Sequence, residues 1–162
     1  MALNTKKGTS SPSEPTGSNY LALDQQFCFA LYSASLAMTK TYKPLLDQLG
    51  LTYPQYLVML VLWQEDGILV KDIGAALFLD SGTLTPLLKR LEAAQLLQRQ
   101  RDPQDERQVR IYLKDEGRQL KLAAQTIPQQ ILCASGQDAK QLGELHQQLK
   151  KLRDDLHSRE ES

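Results

Sequence analysis

Apolar residues recur at the spacing of an α-helix along most of the chain from Leu21 onward. In the first such segment they lie three or four positions apart, which predicts a helix that begins near Leu23. We expect this helix to pause at Lys43-Pro44, and Gly50 to end the short turn that follows. Residues 1–20 are dominated by Ser, Thr, Pro and Gly with almost no apolar content, which predicts a disordered tail.

A second helix is predicted to begin with a capping box. Thr52 is its N-cap, Gln55 follows three residues later, and Pro54 lies in the first turn, where its missing N–H costs nothing. The residues from Tyr56 to Trp63 are apolar on nearly every side of a helix. We therefore expect this helix to be the buried centre of the domain.

A helix-turn-helix and a wing are predicted next. A short helix over 70–77 and a polar turn, Asp80-Ser81-Gly82, lead to a second helix with leucines on one side. Pro86 lies inside that second helix and should distort its first turn. After a charged tip at 102–107, apolar and polar residues alternate at period two over 109–113, which indicates one of two short strands.

The rest of the chain is predicted to be helical, from about Asp115 to Gln130 and again to the end. We expect Asp115 and Ser135 to cap these two helices. The last helix has leucines at alternating spacings of three and four, a heptad seam that needs a partner helix; these are Leu142, Leu145, Leu149, Leu152 and Leu156.

The pattern as a whole predicts a mainly α protein with a small β-wing (α+β). The predicted organisation is a disordered tail over 1–20, dimerisation and thiol-bearing helices over 21–50, a winged helix-turn-helix over 51–114, and C-terminal dimerisation helices over 115–162. A 162-residue chain is long enough to bury a core of this kind.

Composition narrows the class of protein without identifying it. The formal net charge is zero, which argues against a protein that coats nucleic acid but allows a local basic patch. Neither a transmembrane run nor a secretory h-region is visible, so we expect a cytoplasmic protein with no membrane partner. Two cysteines and two histidines are too few for a disulfide scaffold and make a poor metal set, so no metal or cofactor is expected.

Basic and hydroxyl residues lie where the predicted fold would contact DNA. Hydroxyl groups at the start of the second helix suit phosphates or base edges, and cations on that helix and the wing suit phosphates and the minor groove. The alternative is a solvated charged face, which the order helix, turn, helix, wing disfavours. The candidate residues are Ser81, Thr83, Thr85, Lys89, Arg90, Arg99, Arg101, Arg107 and Arg110. A two-fold dimer would bind a pseudo-palindromic double-stranded DNA operator.

The segment from Leu84 to Glu92, followed by the wing tip Asp105-Glu106-Arg107, resembles the MarR (multiple antibiotic resistance regulator) family. The resemblance adds Asp105 to the candidate DNA-binding residues. The segments Phe27-Cys28-Phe29-Ala30-Leu31-Tyr32 and Leu51-Thr52-Tyr53-Pro54-Gln55-Tyr56 are similar to the organic hydroperoxide resistance regulators of that family. In having a second cysteine, Cys133, the chain resembles the branch of these regulators that has two cysteines.

The resemblance implies a transcriptional repressor that is not an enzyme and that organic hydroperoxides induce. It implies that the thiolate of Cys28 is oxidised to a sulfenic acid and then forms an intersubunit disulfide with Cys133. No Lys, Arg or His lies within one helical turn of Cys28, so nearby sequence does not explain its reactivity. The resemblance supplies Tyr42 and Tyr53 as hydrogen-bond donors to the sulfur.

Helix geometry bears on where these groups could meet. Cys28 and Tyr42 are 14 residues apart, about 21 Å along a straight helix. They could meet only if an antiparallel helix of a second subunit brings them together, so the thiol site is expected at a homodimer interface. Phe27, Phe29 and Tyr32 would form an apolar pocket for the carbon tail of the peroxide.

Two other functions fit the same residues. One is a MarR-type regulator that responds to a small aromatic ligand, in which both cysteines are only structural. The other is a thiol peroxidase, which would leave the helix-turn-helix and the wing unexplained. A cysteine on an apolar helix face is most often a small buried apolar residue, so only the joint spacing of cysteines and tyrosines favours the sensor.

Overall fold

The structure is a computed structural model that describes residues 21–160. The disordered tail predicted for residues 1–20 lies outside the described residues. The chain divides into two compact units with their boundary between Met38 and Thr39, and each unit is described by itself below. The four-part division predicted from the sequence remains a prediction.

Seven α-helices and three strands are found among the described residues, after a short 3-10 turn at Leu23–Gln25. The helices are α1 (Phe27–Asp47), α2 (Tyr53–Gln64), α3 (Val70–Leu77), α4 (Ser81–Ala93), α5 (Asp115–Ala124), α6 (Ile127–Ser135) and α7 (Ala139–Glu160). The strands are β1 (Ile68–Leu69), β2 (Leu97–Arg101) and β3 (Val109–Leu113).

Helix α1 differs from its prediction at both ends. It begins at Phe27 rather than near Leu23, because residues Leu23–Gln25 form the 3-10 turn. It does not pause at Pro44 but continues to Asp47. Proline removes one helical hydrogen bond, and burial of the next turn through Leu46, which is 1% exposed, offsets that loss. Gly50 ends the segment with φ +66°, as predicted.

Helix α2 is the centre of the core, as its all-round apolar sequence predicts. The predicted capping box is present: the backbone N–H of Gln55 donates to Thr52 Oγ1, and the N–H of Thr52 donates to Gln55 Oε1. Val58, Met59 and Leu62 are fully buried. Helices α3, α4 and α5 all pack against α2, so the position of each depends on it.

Helices α3 and α4 form the predicted helix-turn-helix. Phe78 ends α3 in the left-handed region (φ 56°), and the N–H of Leu79 returns to the carbonyl of Gly74 at 2.9 Å. A side chain at residue 74 would lie 2.9 Å from the Leu79 carbonyl oxygen, so the close turn requires glycine there. Asp80 is the N-cap of α4, and the helix continues through Pro86 to Ala93.

The wing is part of a three-stranded antiparallel sheet with strand order β1-β3-β2. The sequence predicts β2 and β3, which pair from Leu97 with Leu113 to Arg101 with Val109. It does not predict β1, because two residues are too few to show a period-two pattern. Strand β1 pairs Ile68 with Ile111 and so connects the end of α2 to the wing.

The C-terminal third contains three helices where the sequence predicts two. The predicted helix over 115–130 is broken between Ala124 and Ile127, and Pro128 lies in the first turn of the new helix. Lys114, not Asp115, is the N-cap of α5. Ser135 does not cap the last helix, because Asp138 does so by accepting the N–H of Gln141 at 2.8 Å.

Helices α1 and α7 carry most of the large apolar side chains that are exposed among the described residues, and Leu122 of α5 is a further one. On α1 these are Phe27, Phe29, Leu31, Tyr32, Leu36 and Met38, and on α7 they are Leu145, Leu149 and Leu156. The α7 residues belong to the predicted heptad seam. Along residues 21–160, no helix has both the length and the apolar character needed to cross a bilayer.

Gly117 provides a test of the packing between α5 and the wing. A Cβ atom at this position would collide with the carbonyl oxygen of Leu96. Gly117→Ala is therefore expected to lower the free energy of unfolding by about 1–3 kcal/mol. Urea unfolding followed by circular dichroism measures the change.

Gly143→Ala on α7 is the matched control. No atom lies within 4 Å of the added Cβ, and alanine favours a helix over glycine by about 0.5–1 kcal/mol. This variant should be slightly more stable than the wild type. Equal stability of the Gly117→Ala and Gly143→Ala variants would contradict the packing described for Gly117.

Candidate nucleic-acid interface and candidate thiol site

The N-terminus of α4 is held by Asp80. Its carboxylate accepts the backbone N–H of Thr83 at 2.8 Å and the Thr83 hydroxyl at 3.0 Å, and these bonds lower the pKa of Asp80. The hydroxyl proton of Thr83 is thus engaged within the protein. Ser81 is exposed and Thr85 is half-buried on the same helix.

A cleft of about 550 Å³ lies between α3, α4 and the wing. Four predicted DNA-binding residues line it: Ser81 and Thr85 from α4, Arg99 from β2 and Arg107 from the wing tip. Lys71 of α3 also lines it, and the sequence analysis does not single out this cation. The signal that could have found it is its position in the first turn of the first helix of the pair. The exposed side chains of Lys89, Arg90 and Arg101 lie outside this lining.

The wing tip is organised by Asp105. Its carboxylate accepts hydrogen bonds from the Gln108 side chain at 3.0 Å and from the backbone N–H of Arg107 at 3.1 Å. The Arg107 side chain also donates to it at 3.2 Å. These bonds, with a smaller contribution from the charge of Lys71, lower the pKa of Asp105. Asp105 shapes the tip, while Arg107 remains 92% exposed.

The base of the wing is held by a buried carboxylate. Asp102 is 4% exposed and accepts Arg110 Nε at 2.9 Å and the N–H of Gln104 at 2.9 Å. Arg110 also donates through Nη1 to the carbonyl of Gly67 at 2.9 Å. These bonds hold the Arg110 guanidinium against the protein, where it joins the wing to the segment that follows α2; contact of Arg110 with DNA stays a prediction.

Arg99 is paired with Glu92 at the end of α4. Its Nε donates to Glu92 Oε2 at 2.7 Å and its backbone N–H to Oε1 at 2.9 Å. The backbone bond is the main reason why the pKa of Glu92 is lowered, and the Arg99 side chain adds to it. This pair fixes the first strand of the wing to α4.

Tyr42 and Tyr53, predicted to act together, are in contact. Their ring centroids are 4.8 Å apart, and Tyr56, which the sequence analysis does not assign to the site, lies 6.0 Å from Tyr42. Burial, and then the neighbouring phenols Tyr53 and Tyr56, raise the pKa of Tyr42 to about 12. Burial also raises the pKa of Tyr53. Both hydroxyls therefore keep the protons they would need as hydrogen-bond donors.

Cys28 is the second residue of α1 and is an exposed free thiol. The first turn of a helix has backbone N–H groups without acceptors inside the helix, and the helix dipole favours an anion there. The helix start predicted from the sequence lies about one turn earlier, near Leu23, so the place of Cys28 in the first turn is not predicted. Phe27 and Tyr32 are each 60% exposed and Phe29 is 37% exposed.

Cys133 lies at the opposite kind of helix position. It is an exposed free thiol in the last turn of α6, three residues before the C-cap Gly136. The Gln129 side chain donates to its Sγ at 3.8 Å. The two cysteines therefore lie at opposite ends of their respective helices.

The amino-acid sequence is similar to the sequences of known transcriptional regulators. A family model described as transcriptional regulator SarA/Rot matches residues 40–123. The organic hydroperoxide resistance transcriptional regulator of Bacillus subtilis is 48% identical over 87% of this chain and 96% of its own length. The chain belongs to the MarR family of transcriptional regulators, in the organic hydroperoxide resistance group. The HTH-type transcriptional regulator TtmR of Methylorubrum extorquens is 51% identical over 85% of this chain and 71% of its own length.

Solved structures of MarR-type regulators share the fold. Reduced AbfR bound to DNA is 35% identical, with a TM-score of 0.71 over 87% of this chain and 99% of AbfR. The disulfide form of AbfR is 39% identical, with a TM-score of 0.57 over 83% of this chain and 94% of AbfR. AbfR has been crystallised from Staphylococcus epidermidis. These likenesses confirm the predicted winged helix-turn-helix of this MarR-family chain.

The buried pair at the base of the wing can be tested by Asp102→Asn. Loss of the negative charge leaves the Arg110 guanidinium without its ionic partner in a site where Asp102 is almost fully buried. The free energy of unfolding is expected to fall by about 1–3 kcal/mol. Asp47→Asn removes an exposed pair with Lys43 and should cost less than about 0.5 kcal/mol. Equal losses in the two variants, measured by urea unfolding, would contradict the role given to Asp102.

The raised pKa of Tyr42 predicts how stability depends on alkaline pH. Its pKa is about 12 in the folded protein and 10.0 in the unfolded chain, so above pH 10 the unfolded state releases this proton first. Stability should fall as pH rises towards 12. Tyr42→Phe should weaken that fall, whereas Tyr112→Phe, outside the cluster, should leave it unchanged. The measurement is the free energy of unfolding at about pH 9 and about pH 11; parallel curves for wild type and Tyr42→Phe would contradict the prediction.

Proposed function

We propose that this MarR-family regulator is a dimeric repressor that organic hydroperoxides release from DNA by oxidising Cys28. The observation that carries the proposal is the position of Cys28, exposed in the first turn of α1 among exposed aromatic side chains. At this position the thiol is free and accessible to a peroxide in solution. Phe27, Phe29 and Tyr32 offer apolar surface to the carbon tail of such a peroxide.

The first step is attack of the Cys28 thiolate on the outer oxygen of the hydroperoxide. A sulfur–oxygen bond forms, the oxygen–oxygen bond breaks, and the leaving alkoxide takes a proton to become an alcohol. Sulfur is oxidised to a sulfenic acid while the peroxide is reduced by the same two electrons. The protonated phenols of Tyr42 and Tyr53 act as donors to the reacting sulfur.

Cys133 performs the second step. Its sulfur attacks the sulfenic sulfur of Cys28 in the partner subunit, a disulfide forms, and the hydroxyl leaves with a proton as water. Cys133 is an exposed free thiol in the last turn of α6, so its sulfur is accessible for this step. The disulfide displaces the helices that hold the two DNA-binding regions in register.

A homodimer supplies the partner surface. The exposed apolar residues of α1 and the leucine seam of α7 are surfaces that a second copy would bury. Cys28 and Tyr42 lie near opposite ends of the same helix α1, so the donor to each sulfur would come from the other subunit. The expected mass in solution is twice that of the 18.2 kDa chain.

DNA binding is assigned to α4 and the wing. Ser81 and Thr85 would contact phosphates or base edges in the major groove, together with Thr83, Lys89 and Arg90. Arg107 and Arg101 would enter the minor groove or contact phosphates beside it. Arg99 and Asp105 contribute mainly by fixing the wing, since both make hydrogen bonds to other residues of the same chain.

The test uses a DNA duplex selected from a random pool by binding to the reduced protein. Organic hydroperoxide should release the wild type, with a dimer-mass band appearing on a non-reducing gel. Cys28→Ser should stay bound, because it lacks the sulfur that the proposal assigns to the first step. Fluorescence anisotropy of the labelled duplex measures both.

Cys133→Ser is the matched control. It should still form a sulfenic acid, detectable by mass spectrometry with a dimedone probe, but no dimer-mass band. Release of Cys28→Ser by hydroperoxide would refute the sensor. Release by a small aromatic acid with both thiols still reduced would favour a ligand-responsive regulator instead.

A further inference from the structure

One aromatic contact joins the C-terminal helix to the turn of the helix-turn-helix. The Phe78 ring stacks on the His157 ring with centroids 5.0 Å apart and an interplanar angle of 18°. The Arg153 guanidinium lies over the same ring, 4.7 Å from its centroid. Arg153 and His157 are four residues apart on α7, so one face of that helix provides both contacts.

The backbone at Phe78 is unfavourable for its side chain. Phe78 has φ 56°, in the left-handed region where glycine is the ordinary choice for the residue that ends a helix. Its ring is also 54% exposed, so burial in the core does not compensate for the strain. A bulky residue kept in such a conformation indicates a role for its side chain, and its contacts in the structure are with α7.

The turn connects this contact to α4, the second helix of the helix-turn-helix. Only Leu79 separates Phe78 from Asp80, the N-cap of α4. The N–H of Leu79 is bonded to the carbonyl of Gly74 and Asp80 is bonded to Thr83. The Phe78 ring and the first turn of α4 are therefore connected through a short segment with few free torsions.

We infer that Arg153 and His157 hold the turn through Phe78 and so position α4 for DNA. They are positioning residues, because they act on DNA binding through Phe78 and not by touching DNA. When the turn is already fixed in the free protein, less conformational entropy is lost on binding DNA. The inference rests on the DNA-binding part of the proposed function and is independent of the redox part.

The experiment measures the affinity of reduced protein for the selected DNA duplex, with no peroxide present. Phe78→Gly, Arg153→Ala and His157→Ala should each weaken binding about 3- to 10-fold. Glycine adopts the left-handed backbone without strain, so the melting temperature of Phe78→Gly should not fall. Lys151→Ala, which removes an exposed cation two residues from Arg153, should bind about as well as the wild type.

A double variant separates positioning from direct contact with DNA. If Arg153 acts through Phe78, then Phe78→Gly combined with Arg153→Ala should bind no more weakly than the weaker single variant. The inference would be overturned if the fold-loss of DNA affinity in the double variant equalled the product of the two single losses. Unchanged affinity in all three single variants would also overturn it. Losses that follow a lowered melting temperature would also overturn it. Release of reduced Cys28→Ser by hydroperoxide would refute the redox proposal alone and leave this result standing.

Discussion

Helix α2 has no polar face, and this constraint arranges the other elements of its unit. Because apolar residues surround the helix axis, α2 must be covered by neighbours on several sides, and α3, α4 and α5 provide that cover. Its first turns carry Tyr53 and Tyr56 towards Tyr42. Its last turn carries Trp63, whose Nε1–H donates to the carbonyl of Gly117 at 2.8 Å. One buried helix therefore fixes both the DNA-binding helices and the tyrosine cluster.

Buried and engaged carboxylates explain how a chain of zero net charge can present a cationic surface. Asp102 is committed to Arg110 inside the wing, and Asp105 is committed to the backbone and side chains of the tip. Asp102 is buried and Asp105 is partly exposed, whereas the Arg107 side chain is 92% exposed. Net charge sums over all groups, whereas a phosphate interacts with those that reach the surface. Lys71 and Arg107 thus face the cleft beside α4 as cations.

Local sequence was sufficient for most elements, and it failed where tertiary contacts decide. The capping box at Thr52 and the alternation of β3 are local signals, and both predictions are confirmed. Pro44 signals a break, but burial of Leu46 keeps α1 continuous. Arg110 and Arg107 look alike in sequence, and only the fold shows that Arg110 is paired with the buried Asp102. Contact between Tyr42 and Tyr53 depends on packing between two helices, so spacing alone could not establish it.

The two cysteines differ in their position within a helix, which residue type alone does not reveal. Cys28 and Cys133 are the same type of residue, and both are exposed free thiols on helices. Cys28 lies in the first turn of α1, and Cys133 lies in the last turn of α6. The fold thus separates two thiols of the same residue type by where each lies along its helix, and the roles proposed for them differ accordingly. The place of Cys28 in a first turn depends on where α1 begins, a boundary set by the 3-10 turn that precedes Phe27.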